Sequence, residues 1–117
     1  MAADNWAKSL ERICFEQAHE ENRFRFRCLI PADYYGFKGH FENVPILPGV
    51  CQLTLVTEAV SLVDGPPSIA RIERMKFHNL IVPNTEFTLE IERLAQGWSY
   101  RLFYEETPFS SGKIVTK

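Results

Sequence analysis

The stretch GHFENVPILPGVCQL, Gly39 to Leu53, sets a histidine before a proline-braced loop that ends in Pro48-Gly49, directly ahead of an apolar run. Proline and glycine at that junction mark a helix start. A helix N-terminus presents unpaired backbone N–H groups and the positive end of a dipole. Gly49 has no Cβ, so a ligand oxygen can approach its backbone closely. His40 is therefore expected beside a ready-made site for partial negative charge, such as a carbonyl oxygen.

Downstream, Gly49 to Val63 reads as the only substantial helix. Val50, Leu53, Leu55, Val56, Ala59, Val60 and Leu62 make it apolar nearly all round. Such a helix is expected inside the molecule. Asp64-Gly65-Pro66-Pro67 ends it. The run Val44 to Val63 is not expected to span a membrane, because Pro45, Pro48, Gly49, Gln52, Thr54, Thr57 and Glu58 interrupt it.

Upstream, Phe24, Phe26, Cys28 and Ile30 alternate with Arg23, Arg25 and Arg27. That alternation predicts a strand with one buried and one wet face. Leu10 to Phe15 is expected to be its hairpin partner, with Glu20-Glu21-Asn22 as the turn. Met1 to Lys8 is expected to form a short helix or to fray.

After the helix come Ser68 to Phe77, a turn at Val82-Pro83-Asn84, and the alternating segment Phe87, Leu89, Ile91. A tight turn at Gln96-Gly97 leads to Tyr100, Leu102 and Tyr104. Ser110-Ser111-Gly112 is expected to turn into a last short strand from Lys113. One helix against an antiparallel sheet is an α+β arrangement. Sheet edges are liabilities that a second copy can close, so a dimer is expected.

The chain's 117 residues suit one domain over 1–117, and 45% apolar residues suffice for a core. A net charge of −2 argues against nucleic acid as a main partner. The N-terminal residues show no signal-peptide pattern. Cys14, Cys28 and Cys51 lack metal-site spacing, so no metal or other cofactor is expected. They read as reduced thiols of a cytoplasmic protein. Cys51 reads as core packing. His19 reads as a turn residue and His78 as a strand-end residue.

The loop resembles the active-site loop of hot-dog fold 3-hydroxyacyl-acyl carrier protein dehydratases. Their pattern is Gly-His-Phe-Pro, two residues, Pro, two residues, Pro-Gly-Val; here Gly39-His40-Phe41, Pro45 and Pro48-Gly49-Val50 stand in register. Pro-Gly-Val-x-Gln-Leu, Pro48 to Leu53, looks most like the aryl-polyene type. Ile72 to Phe77 followed by Ile81-Val82-Pro83 resembles a second family block, with Asn84 where glycine is usual.

The resemblance implies a hot-dog fold, one long helix wrapped by a curved antiparallel sheet. It also implies a dimer, as a homodimer, a trimer of dimers or a heterodimer with a related subunit. The implied substrate is a 3-hydroxyacyl thioester of acyl carrier protein or coenzyme A, which loses water to give the 2-enoyl thioester. Carried over residue by residue, His40 is the base that removes the C2 proton, and Gly49 N–H is the oxyanion donor. Phe37, Phe41, Pro48 and Val50 belong to the substrate-binding side. The aromatic set Tyr34, Tyr35, Phe37 and Phe41 either lines an acyl tunnel or fills core and interface.

The family takes its acid from a carboxylate fourteen residues after the histidine, where this chain has Thr54. A hydroxyl is no acid near neutral pH. Glu58 lies at i+4 from Thr54, on the same helix face. It, or a water held by Thr54, is expected to replace the acid; the structural alternative is a rim contact or a pair with an arginine. Two other expectations stand beside the dehydratase. One is a thioesterase in which Glu58 activates water and His40 polarises the carbonyl. The other is a non-catalytic subunit that binds acyl chains or pairs with an active partner.

Overall fold

A computed structural model describes residues 9–34 and 46–117 of the chain. The described elements are α1 (Ser9–Ile13), β1 (Cys14–Glu20), β2 (Arg23–Ile30), α2 (Gly49–Asp64), β3 (Ile69–Phe77), β4 (Thr85–Leu94), β5 (Gly97–Tyr104) and β6 (Thr107–Thr116). The six strands form one antiparallel sheet in the order β1-β2-β4-β5-β6-β3. Phe26, Cys28 and Ile30 of β2, Phe87, Leu89 and Ile91 of β4, and Trp98, Tyr100 and Leu102 of β5 turn to one face. There they share a core with Cys51, Leu55, Val56, Ala59 and Val60 of α2. The expected arrangement of one long helix on an antiparallel sheet is present.

Three local expectations are corrected. Leu10 to Ile13 is helical, and the partner strand begins only at Cys14, because Leu10 and Ile13 share one helix face and both are buried. Ser110 to Gly112 lie inside β6, and the turn falls at Glu105–Glu106, where Glu105 takes a φ of 50°. His19 is within β1, stacked on Phe24 with ring centroids 5.0 Å apart. Asn84 has a φ of 64°, the left-handed conformation in which asparagine can stand for glycine. Met1 to Lys8 lie outside the described residues.

The sheet's outer face is a charge ladder. Glu90 is buried there and accepts hydrogen bonds from Arg25 Nε at 2.8 Å and Arg101 Nε at 2.7 Å. Arg27 pairs with Glu16 and Glu86, and Arg23 with Glu92. The arginine stripe is thus matched by glutamates of the same sheet. Burial pushes the Glu90 carboxyl up, but the hydrogen bonds from Arg101 and Arg25, with their charges, outweigh it and hold the carboxyl below its ordinary value. A depressed carboxylate contributes stability above its unfolded pKa and loses it as pH falls through the folded value. Glu90→Gln is therefore expected to be less stable than the wild type near pH 7. Urea denaturation should show that gap closing below about pH 4.

Candidate active site

The start of α2 is built without a side-chain cap. Pro48 is the N-cap, at φ −62° and ψ 153°, and makes no side-chain capping hydrogen bond. Its carbonyl accepts the Cys51 N–H at 3.0 Å and the Gln52 N–H at 3.1 Å. The N–H groups of Gly49 and Val50 precede these, so the helix itself supplies them no acceptor. No acidic residue lies in the first turn to compete for them. Gly49 carries the ring of Phe77: a Cβ there would lie 2.7 Å from Phe77 Cζ. A Cβ at this position would press on an aromatic edge, and the exposed Phe77 ring would have to shift to admit it.

Sequence reading missed what holds this helix end in place. Leu47 N–H donates to the Ile81 carbonyl at 2.8 Å. Gln52 is buried; its Nε2 donates to the Leu47 carbonyl at 3.1 Å, and its Oε1 accepts from Ser110 Oγ at 2.7 Å. One amide therefore ties the pre-helix segment to β6. The available signal was a lone amide among apolar helix residues, since a buried amide needs partners. Ser110→Ala leaves Gln52 Oε1 without that donor inside the core. Chemical denaturation is expected to show a loss of about 1–3 kcal/mol.

Thr54, one turn after Val50, donates its hydroxyl to the Val50 carbonyl at 2.9 Å, and Thr57 Oγ1 donates to the Thr54 carbonyl at 2.9 Å. The Thr54 proton is committed to its own helix, while its oxygen can still accept from water. Glu58 is partly buried, and its Oε1 accepts from Leu10 N–H at a long 3.5 Å, so it braces the first turn of α1. Helix rise puts the Thr54 Cα about 7.5 Å along the axis from Gly49, and the Glu58 Cα about 13.5 Å. Thr54 is the nearer of the two to a carbonyl held at Gly49.

Val50, Thr54, Glu58 and Leu62 follow one another along α2 at i+4 spacing. Val50 is 65% exposed and Leu62 47%, so the all-round apolar helix is not covered on every side within one chain. Phe77, Leu80 and Val82 are also exposed and adjoin the same helix end through Phe77–Gly49 and Ile81–Leu47. Cys51 is buried as expected, and burial pushes its thiol up. Tyr34 is buried and belongs to the core. His40, Phe37, Phe41 and Tyr35 lie outside the described residues. Among the described residues no cluster of metal-ligating side chains occurs, and no helix is long and apolar enough to cross a membrane.

The helix packed on the antiparallel sheet is a hot-dog fold, seen also in solved structures. The dehydratase heterocomplex ApeI:P from Xenorhabdus doucetiae superposes with a TM-score of 0.81 at 24% identity, covering 88% of this chain and 95% of that one. The dehydratase domain from the CurF module of curacin polyketide synthase gives 0.67 at 16% identity, covering 87% of this chain and 42% of that one. The ApeI-like family model, described as ApeI dehydratase, matches residues 16–113, and the chain belongs to that family. This agrees with the aryl-polyene type expected from Pro48 to Leu53.

Among curated relatives, the 3-hydroxyacyl-acyl-carrier-protein dehydratase FabZ of Aliivibrio fischeri is 32% identical over 77 residues, 57% of this chain and 51% of that protein. The FabZ of Ruminiclostridium cellulolyticum is 36% identical over 66 residues, 50% of this chain and 46% of that protein. The chain spans about half the length of the curated relatives it matches.

Proposed function

We propose that the protein dehydrates 3-hydroxyacyl thioesters, on acyl carrier protein or coenzyme A, to 2-enoyl thioesters. The observation that carries this reading is the uncapped start of α2, where Gly49 and Val50 N–H groups lack helix acceptors, in a chain of a dehydratase family. The thioester carbonyl accepts from Gly49 N–H as negative charge grows on its oxygen. His40 removes the C2 proton, since imidazole titrates near neutral pH. The C3 hydroxyl leaves with a proton delivered through a water held at Thr54, and Glu58, one turn further along the same face, is the proton source. Pro48 and Val50, with Phe37 and Phe41, border the acyl group.

The uncovered Val50, Phe77, Leu80 and Val82, at the helix start and the end of the edge strand β3, support a second chain of this or a related type closing the site. We place this oligomer in the cytoplasm, as the unpaired cysteines suggest.

One observation favours a second reading, a subunit that binds acyl chains or depends on an active partner. The acid position holds Thr54, whose hydroxyl donates to the Val50 carbonyl, and the carboxylate one turn further along α2, Glu58, accepts from Leu10 N–H.

Incubation with a 3-hydroxyacyl thioester and with a saturated acyl thioester, following both dehydration and free thiol, separates the readings. Dehydration that rises in Thr54→Glu by roughly tenfold or more, within the range typical of general acid catalysis, and falls in Glu58→Gln supports the proposal. Thiol release dependent on Glu58 would instead indicate a thioesterase. Binding without turnover would leave the subunit reading.

A further inference from the structure

We infer that Cys14 and Cys28 form a cross-strand disulfide site, closed by exchange with a small-molecule disulfide such as oxidised glutathione. The two residues are paired across β1 and β2. Directly opposed residues of antiparallel strands have Cα atoms about 4.5–5.5 Å apart, inside the span of about 4.4–6.8 Å that a disulfide bridges.

The pairing depends on a bulge. From Glu16 onward β1 follows one register, with Glu16 opposite Arg27 and Gln17 opposite Phe26. Continued without interruption, it would set Phe15 opposite Cys28, and Cys14 opposite Leu29 on the outer face. The observed register shifts between Cys14 and Glu16, and Cys14 falls opposite Cys28 instead. A bulge inserts a residue and re-aims its neighbours. The residue turned outward is Phe15, 54% exposed, with the Arg27 guanidinium 5.1 Å from its ring centroid.

The thiols also differ in access, as an exchange site requires. Cys14 is half-buried and Cys28 fully buried. Burial pushes the Cys28 thiol up, and the charge of Cys14 and a hydrogen bond with it add to this. The entering step falls to Cys14: its thiolate attacks one sulfur of the small disulfide, whose S–S bond breaks to release one thiol. The Cys28 thiolate then attacks the Cys14 sulfur and releases the second. Two protein thiols are oxidised by two electrons, one small disulfide is reduced to two thiols, and their protons pass to the released thiolates. Because Cys28 ionises reluctantly, closure is slow near neutral pH and quickens as pH rises. Once closed, the bond ties the α1–β1 junction to β2.

Intact mass and thiol counting on the folded protein after oxidised glutathione treatment test this without any substrate. At a raised pH, where closure runs to completion, the wild type should lose the mass of two hydrogens, retain one thiol and carry no adduct, with Tm raised on the order of 10 °C. Cys28→Ser should accumulate a glutathione adduct on Cys14, Cys14→Ser should keep its thiols, and Cys51→Ser should close like the wild type. A lasting adduct on the wild type, a bond involving Cys51, or survival of all three thiols would overturn the inference.

Discussion

His40→Ala is expected to lower the dehydration rate of a 3-hydroxyacyl thioester by roughly 10²–10⁴-fold, the span that one positioned acid–base group supplies. With Pro48 as an N-cap that makes no side-chain hydrogen bond, the helix supplies the Gly49 and Val50 N–H groups no acceptor, a geometry suited to a carbonyl oxygen. Two such donors stabilise the enolate-like charge but remove no proton, so loss of the base should spare binding. Steady-state kinetics should show kcat falling with KM nearly constant. Unchanged kcat in a folded variant would remove His40 from the chemistry. The imidazole has no counterpart among the described α2 residues facing that end, where the Thr54 hydroxyl donates its hydrogen bond to the Val50 carbonyl.

Gly97→Ala is expected to lose on the order of 4 kcal/mol of stability, combining backbone strain with overpacking. Gly97 opens β5 after the Ala95–Gln96 turn with a φ of 143°, a conformation L side chains rarely adopt. A Cβ there would stand 1.9 Å from the Ile114 carbonyl oxygen and 3.2 Å from Val115 Cα. Those are backbone atoms of β6, paired with β5 through Trp98–Ile114 and Gly97–Val115, so no side-chain rotation relieves the clash. A small domain is stable by only about 5–15 kcal/mol, so such a loss should be plain in urea denaturation. A midpoint within experimental error of the wild type would contradict this packing.

Much of the architecture was legible because burial in a sheet has a period of two. Phe24 to Ile30 and Phe87 to Ile91 announce their faces by alternation, and β2 and β4 pair along that whole length. The last strand was harder to read. Ser110-Ser111-Gly112 carries turn composition, yet it is held in β6 by pairing with Leu102, Arg101 and Tyr100. Tertiary pairing overrode local propensity there. The Leu10–Phe15 segment failed for a related reason, since Leu10 and Ile13 fit a helical face as well as a strand.

The candidate site divides in the same way. Pro48-Gly49 before an apolar run identified the helix start and the donors that the helix itself leaves without an acceptor, because helix ends depend on local residues. The sequence by itself also located the departure at Thr54, and the family pattern around it. Only the tertiary structure decided that Gln52 clamps the helix end between Leu47 and Ser110, that Glu58 braces α1, and that a bulge brings Cys14 opposite Cys28. Apart from the local Gln52–Leu47 bond, each of those contacts joins residues far apart in sequence or depends on strand register. Periodicity shows which face a side chain takes; which residue meets it from another element is set by how the elements pack.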